Sequence, residues 1–478
     1  MNTRRILISA LCSLAFGLAA CGGDNAAAAE EPVNNPFGGA DQPVPTSQAV
    51  GASSAVILSS ASGGGGGGQT GPVAGLAPSA NTQFSTAMYK KWLDGHYVTL
   101  DKEATYYGEI ADQFRHVFKE QYLPAARIVW STTQGGGYAT QCKVDESTES
   151  KMKYRGCTVS EGIGYGMLIT AIQGDVAVFN TLWNYSRAFR AYNNQALTPW
   201  ITFSFTYNVV DNGSATDADL DIATSLLIMH AKTGEAAYLN DALTIAAAIW
   251  DTEVKDNMLL SGDTPMWNGV KGPIVYNLSY FSPVALRLFA KYDQTHNWNG
   301  VIDAMYSYMT AIQDKGTGVF PDWSDATTAV NPPNKSAGTN ANNYTWYTFN
   351  KEAVRIPWRI AWDYYWYQDP RAGAILTTLN EFISKKASGN PDDKALAVSY
   401  SWNLSVGKDN TSGTTGSNHW YGAWCATGIA GNSTWLNKCT TGLNTKQKTL
   451  SNGPSSYFID ILTTMYSGLL NGLFARPF

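Results

Sequence analysis

Charge is scarce in this 478-residue chain. Lys, Arg, Asp and Glu make up 15% of it, against roughly 25% in an average soluble domain. The 33 basic and 38 acidic residues leave a formal net charge of −5. No basic patch is visible that would suit a phosphate backbone, so nucleic acid is not an expected partner. Histidine is rarer still. His96, His116, His230, His296 and His419 are not paired at metal-ligand spacing, and no H-E-x-x-H occurs. The cysteines lack zinc-site spacing. There is no Gly-x-Ser-x-Gly elbow, and the glycine run at 63–68 opens no helix of the kind a phosphate loop needs. Beyond the N-terminus no stretch is apolar for the ~20 residues of a membrane span. What remains abundant is carboxylate, amide and aromatic: 16 Trp, 26 Tyr and 17 Phe. Aromatics in such number serve either as filler of a large helical core or as platforms on which sugar rings stack.

The N-terminus reads as a targeting segment. Arg4 and Arg5 precede a short apolar region at 6–20. It ends in Leu18-Ala19-Ala20-Cys21, which resembles the bacterial lipobox. Residues 1–21 are therefore expected to be a lipoprotein signal with Cys21 acylated. The protein is expected to be exported and lipid-anchored to the bacterial cell envelope, at the outer membrane or cell surface. Cys142, Cys157, Cys425 and Cys439 are an even number in an exported chain, which suggests disulfides. Short loops favour Cys142–Cys157 and Cys425–Cys439, each worth about 3 kcal/mol of unfolded-chain entropy.

Residues 22–80 are rich in Ala, Gly, Ser and Pro and nearly free of aromatics. Such a composition buries no core and reads as a tether spanning on the order of 40 Å. From 81 to 478 the composition turns globular, without a second low-complexity break, so one large domain is expected. Its periodicity is helical. The segment 235–250 places Leu239, Ala242, Leu243 and Ala246 on one face. Pro283 sits where a first helical turn tolerates it. Segments 299–313, 372–385 and 457–474 are further helices, separated by long Gly- and Asn-rich loops. No strand–helix alternation supports a parallel sheet, so the fold class expected is all-α.

Three segments carry chemistry. In Thr158-Val159-Ser160-Glu161-Gly162-Ile163-Gly164-Tyr165-Gly166-Met167, Ser160 is a plausible helix N-cap with Glu161 just inside. A capping carboxylate would account for Glu161, but three glycines near a helix start cost about 1 kcal/mol each relative to Ala. They make sense if something bulky must approach the backbone. In Ser214-Ala215-Thr216-Asp217-Ala218-Asp219-Leu220-Asp221, Thr216 or Asp217 could cap a helix stopped by Gly234. Helix-start electrostatics accounts for Asp221, whereas Asp217 is expected in a cleft. In Glu352-Ala353-Val354-Arg355-Ile356-Pro357-Trp358-Arg359, Glu352 and Arg355 share a helical face, either as an ion pair or as part of a site.

Together these segments resemble glycoside hydrolase family 8, as do Asn277-Leu278-Ser279-Tyr280-Phe281 and Val319-Phe320-Pro321-Asp322-Trp323. The resemblance runs from about Trp92 to the C-terminus. It implies an (α/α)6 barrel with long loops and an inverting, endo-acting cleavage of a β-1,4-linked polysaccharide, with glucan or xylan foremost. It also implies a polysaccharide or oligosaccharide as partner, a monomer, and neither metal nor cofactor. Glu161 falls on the family's general acid, and Asp217 on a carboxylate that contacts the sugar under attack. Trp200 falls near a stacking tryptophan, and Tyr280 on a tyrosine at the cleavage point. Arg355, Asp219 and Tyr165 join them as substrate-binding candidates. The chain departs from the pattern at the base: Lys351-Glu352 stands where the family has Tyr-Asp. Glu352 is thus one methylene longer, with Asp217, Asp322 and Asp325 as competitors. Two other readings compete: a non-catalytic surface glycan-binding protein that kept the cleft, and a polysaccharide lyase, which the acidic balance disfavours.

Overall fold

The computed structural model describes residues 75–101, 116–130, 157–203, 209–264, 274–325, 348–404, 409, 418–445 and 457–478. The expected signal, most of the expected tether and Cys142 lie outside them.

Among the described residues twelve helices exceed two turns. They are α1 (Thr82–His96), α2 (Ser160–Gln173), α3 (Val176–Tyr192), α4 (Thr216–Thr233), α5 (Ala236–Glu253) and α6 (Pro283–Tyr292). Then come α7 (Trp298–Asp314), α8 (Ile356–Tyr367), α9 (Pro370–Lys386), α10 (Asn418–Ala426), α11 (Ser433–Thr445) and α12 (Tyr457–Leu470). Each even-numbered helix packs on the next, and α12 returns to α2, closing an inner ring of six. Each odd-numbered helix packs outside its even partner: α3 on α2, α5 on α4, and so on to α1 on α12. This is the (α/α)6 barrel expected from the motifs.

The two rings differ as burial requires. Helix α4 is buried continuously from Thr216 to Met229 because it has protein on all sides. Helix α3 buries Phe179, Leu182, Trp183, Ser186, Phe189 and Arg190, the spacing of a helix wet on one face. The segment before α1 is tied to the last two helices: Asn81 N–H donates to Asn471 Oδ1 at 2.7 Å, and Ser79 Oγ donates to the Asn437 carbonyl at 3.1 Å. Trp92, Trp298, Trp358, Trp362, Trp402, Trp424 and Trp435 are wholly buried. Core filling thus accounts for many of the tryptophans, while Trp130 and Trp200 stay half-buried.

Helix starts shift from the sequence reading in two places. Val159, not Ser160, precedes α2, and Ala215 precedes α4, neither with a side-chain cap. In both, the chain arrives from a strand. β3 (Cys157–Val159), β4 (Ile201–Phe203) and β5 (Val209–Asp211) form an antiparallel sheet at this end of the barrel, and β1 (Tyr97–Thr99) pairs with β2 (Ala126–Ile128). Strands of three residues are too short for alternation to reveal. Gly234 ends α4 with φ +78°, as expected. Cys425 and Cys439 form the expected bridge. Cys157 is also disulfide-bonded, and its expected partner lies outside the described residues.

The bulky neighbour required by the α2 glycines is the protein itself. A Cβ on Gly164 would stand 3.0 Å from the Ala218 carbonyl oxygen and 3.2 Å from Asp221 Cβ, both on α4. One on Gly162 would meet the Tyr457 hydroxyl at 3.2 Å. Gly164→Val is expected to destabilise the fold by roughly 3 kcal/mol, because a helix backbone cannot yield as a side-chain tip can. Denaturant unfolding should show a lower midpoint at unchanged slope; an unchanged midpoint would contradict this close packing.

Candidate active site

The N-terminal ends of the inner helices converge, and the carboxylates of the three motifs meet there. Glu161 is the second residue of α2, and Asp217 the second of α4. Asn277 caps a single turn over Leu278–Tyr280 just before α6. Glu352 opens the turn Ala353–Arg355 that leads into α8, and Tyr457 begins α12.

Arg355 lies at the centre. Its Nη1 donates to Glu161 Oε2 and, at 3.1 Å, to Asp217 Oδ2, and its Nη2 donates to Glu352 Oε2. The Arg355 guanidinium also sits 5.2 Å from the Tyr280 ring centroid. Tyr457 donates its hydroxyl to Glu161 Oε1 at 2.8 Å, and Asn277 Nδ2 donates to Glu352 Oε2 at 2.7 Å. Burial is graded across the three acids. Side-chain exposure is 29% for Glu352, 16% for Glu161 and 2% for Asp217.

That gradient sets the electrostatics. Burial raises the Glu161 carboxyl above its ordinary value, more than Arg355 and the Tyr457 hydrogen bond lower it. Burial pushes Asp217 up to about 8, against the pull of Arg355. One guanidinium among three carboxyls favours two of them protonated, since buried charge without a counter-charge is costly. Glu352 is the most exposed of the three.

A second arginine stands behind the first. Arg359 holds Asp221 with bonds of 2.7 and 2.9 Å, both residues being buried. Helix-start electrostatics does not exhaust the role of Asp221: it is the partner of a buried guanidinium between α4 and α8. Asp322 is buried too, and its Oδ1 accepts the backbone N–H groups of Asn350 and Ala353 at 2.9 and 3.0 Å. Through that oxygen it clamps the turn that carries Glu352. The side chain of Asp325 lies outside the described residues.

The other candidates separate into two groups. Trp200 is half-buried with its ring 6.5 Å from that of Trp130, and Tyr280 lies 6.5 Å from Trp323. Tyr165 and Asp219, by contrast, are wholly buried beneath the site. Tyr165 packs edge-on against Trp358 at 6.0 Å, and Asp219 Oδ1 accepts the Thr198 N–H at 3.1 Å. The structure brings neither of them to the surface a sugar would touch. Tyr457 and the role of Asn277 were not foreseen. Tyr457 lies 296 positions from Glu161, and nothing in its local sequence marks it. Among the described residues no three His, Cys, Asp or Glu side chains are grouped to hold a metal ion.

The sequence model of the glycosyl hydrolases family 8 matches residues 131–463, well over half of the chain. The chain belongs to that family. Among its relatives, Endoglucanase 2 of Ruminiclostridium josui is 32% identical over 243 residues, 50% of this chain and 49% of that protein. Beta-glucanase of Niallia circulans is 29% identical over 340 residues, 67% of this chain and 78% of that protein. The chain thus spans about half the length of the first of these. In structure it resembles the beta-1,3-1,4-glucanase of Paenibacillus sp. X4, with TM-score 0.63 at 23% identity, covering 83% of this chain and 95% of that one. It also resembles a cold-adapted family 8 xylanase, with TM-score 0.60 at 15% identity, covering 83% and 92%. As a family 8 protein the chain has its motif carboxylates at one end of the barrel, around a single arginine.

Proposed function

We propose that this protein is an inverting, endo-acting hydrolase of a β-1,4-linked glucan. The observation that carries the reading is Arg355, which holds three carboxyls of graded burial at the N-terminal ends of α2, α4 and α8. Glu161, its proton retained by burial, is the general acid that protonates the glycosidic oxygen. Glu352 is the general base. It takes a proton from a water that attacks the anomeric carbon from the opposite face, as the bond to the leaving oxygen breaks. Asp217 contacts the sugar under attack, with Trp200 and Tyr280 beside it. Glu161 and Glu352 are bridged by the Arg355 guanidinium and do not share a hydrogen bond with each other. An inverting pair stands roughly 6.5–9.5 Å apart to admit a water. The glucan preference is supported by the names of the endoglucanase and glucanase relatives; xylan follows it.

The test is a reducing-end assay on β-glucan, carboxymethylcellulose and xylan, with NMR of the first-formed anomer. The α-anomer is expected. A β-anomer would reject inversion, and glycan binding without any release of reducing ends would favour the non-catalytic reading.

We also infer that residues 1–21 act as a lipoprotein signal and 22–80 as a tether, leaving 81–478 as the catalytic domain at the cell envelope. Support comes from Arg4, Arg5 and the Leu18–Cys21 tetrapeptide, and from the start of regular packing at Ala77 and α1. No helix among the described residues is long and apolar enough to cross a membrane. Wild-type protein is expected to enter the detergent phase of a Triton X-114 partition, and Cys21→Ser the aqueous phase. Limited proteolysis should trim the chain before residue 80 and leave a stable core. Early cutting near residue 250 would break the single-domain reading.

A further inference from the structure

Beneath Asp217 lies a second set of acids that the mechanism above does not use. Asp219 and Glu253 are both wholly buried. Asp219 Oδ1 accepts one hydrogen bond, from Thr198 N–H at 3.1 Å, and among the described residues its Oδ2 has no partner. Glu253, at the end of α5, accepts the Ser214 hydroxyl at 2.5 Å through Oε1. Its Oε2 lies beside the Thr216 hydroxyl without a hydrogen bond of good geometry. The cation that faces Asp219 is Arg190, but its guanidinium is held by Asp241 through bonds of 2.9 and 2.5 Å. Asp263 faces both acids, and Asp217 faces Asp219. An ionised carboxylate in such a place would be a buried charge short of both donors and counter-charge, which costs several kcal/mol. A protonated carboxyl carries no charge to bury.

The two acids hold the segments that carry the cleft. Thr198 is two residues before Trp200, and Ser214 three before Asp217. Trp200 N–H donates to the Gly213 carbonyl at 2.7 Å, and Ser160 N–H donates to the Trp200 carbonyl at 2.9 Å. Ser214 N–H donates to Asp263 Oδ1 at 2.8 Å. A continuous run of bonds thus leads from Glu253 and Asp219 to the starts of both α2 and α4.

We propose that Asp219 and Glu253 are neutral, protonated positioning residues that fix Asp217 and Trp200 relative to Glu161. This rests on the reading that Asp217 and Trp200 contact sugar. Burial, with the neighbouring carboxylates, raises both groups well above their ordinary values, in line with the geometry. The folded state then holds protons that the unfolded chain releases above about pH 4. Their stabilisation is complete below that pH and declines as pH rises through the folded values.

The test uses Asp219→Asn and Glu253→Gln, which mimic the protonated acids. Both variants are expected to lose less melting temperature than wild type between pH 5 and pH 9 (a range of about four units set by the buffers). They should also recover activity that Asp219→Ala and Glu253→Ala lose, an expected loss of about 10- to 100-fold in kcat/KM from sub-ångström misplacement. Ser214→Ala, a milder change, covers the case in which the alanine variants fail to fold, and should lower kcat while circular dichroism stays native. Melting curves of the amide variants that run parallel to wild type across the pH range would overturn the protonated state. Full activity in Ser214→Ala and in folded Glu253→Ala would overturn the positioning role. The melting arm needs no substrate, so it decides the protonation state even if the wild-type protein cleaves no glycan and the catalytic reading falls.

Discussion

Glu161→Gln should cut hydrolysis of unactivated polysaccharide by about 10²–10⁴-fold, the usual contribution of a general acid. Substrate binding should change little, because the amide fills the same space between Arg355 and Tyr457. The effect follows from the position of the carboxyl: Tyr457 donates to one oxygen and Arg355 to the other, and burial holds the proton against both. An aryl glycoside with a good leaving group needs little protonation and should be cleaved by Glu161→Gln at a rate near wild type. The sign of the pH dependence follows from the same shift. A raised carboxyl keeps its proton to higher pH, so wild-type kcat/KM should fall on the alkaline side as Glu161 ionises. For the aryl glycoside in Glu161→Gln that alkaline limb should vanish. Wild-type polysaccharide cleavage by Glu161→Gln would remove the general acid from the mechanism.

Glu352→Ala should reduce hydrolysis by a comparable factor, about 10²–10⁴-fold, by a different route. Loss of this carboxylate leaves the water without a base but leaves the acid in place. Azide, already anionic, needs no base and is small enough for the space vacated by the side chain. With azide added, turnover should return as a glycosyl azide of inverted anomeric configuration. An azide product of retained configuration would mean attack from the other face and would reassign the nucleophile's side. Near-normal activity in Glu352→Ala would pass the base role to one of the aspartates Asp217, Asp322 and Asp325. The substitution also removes one of the three acceptors of Arg355, so unfolding measurements on the variant separate a chemical loss from a structural one.

Much of this was legible in the order of residues. The amphipathic spacing of 235–250 gave the outer helix α5 to within a few residues, because an outer helix must show water one face and the core another, and Pro283 marked the start of the inner helix α6, because a first helical turn tolerates proline. Gly234 marked the end of α4, because a left-handed residue after a helix favours glycine. The resemblance of three segments to family 8 pointed to Glu161, Asp217 and Glu352, which the structure brings together around Arg355, while the glycines beside Glu161 serve helix packing. Two kinds of fact were not. The cap of α2 was misplaced because the helix starts directly from β3, a three-residue strand whose partner β4 lies more than forty positions away, and that of α4 because the chain reaches it from the equally short β5. The arrangement around Arg355 depends on groups brought together from five helix starts. Contacts such as Tyr457 to Glu161 and Arg359 to Asp221 have no trace in local spacing.

By itself the sequence determined a helical domain rich in aromatics and carboxylates, because periodicity and composition are local properties of a chain, while the barrel was implied by the resemblance of its motifs. Only the tertiary structure decided which acids face the cleft and which lie under it. Asp217, Asp219 and Asp221 occupy alternate positions on one helix start, yet they meet an arginine of the cleft, a buried backbone amide and a second, structural arginine respectively. Successive positions on a helix point about 100° apart, so each acid takes its charge state from whichever neighbour the closed ring presents, and that neighbour is set by the packing of α4 against α2, α6 and α8.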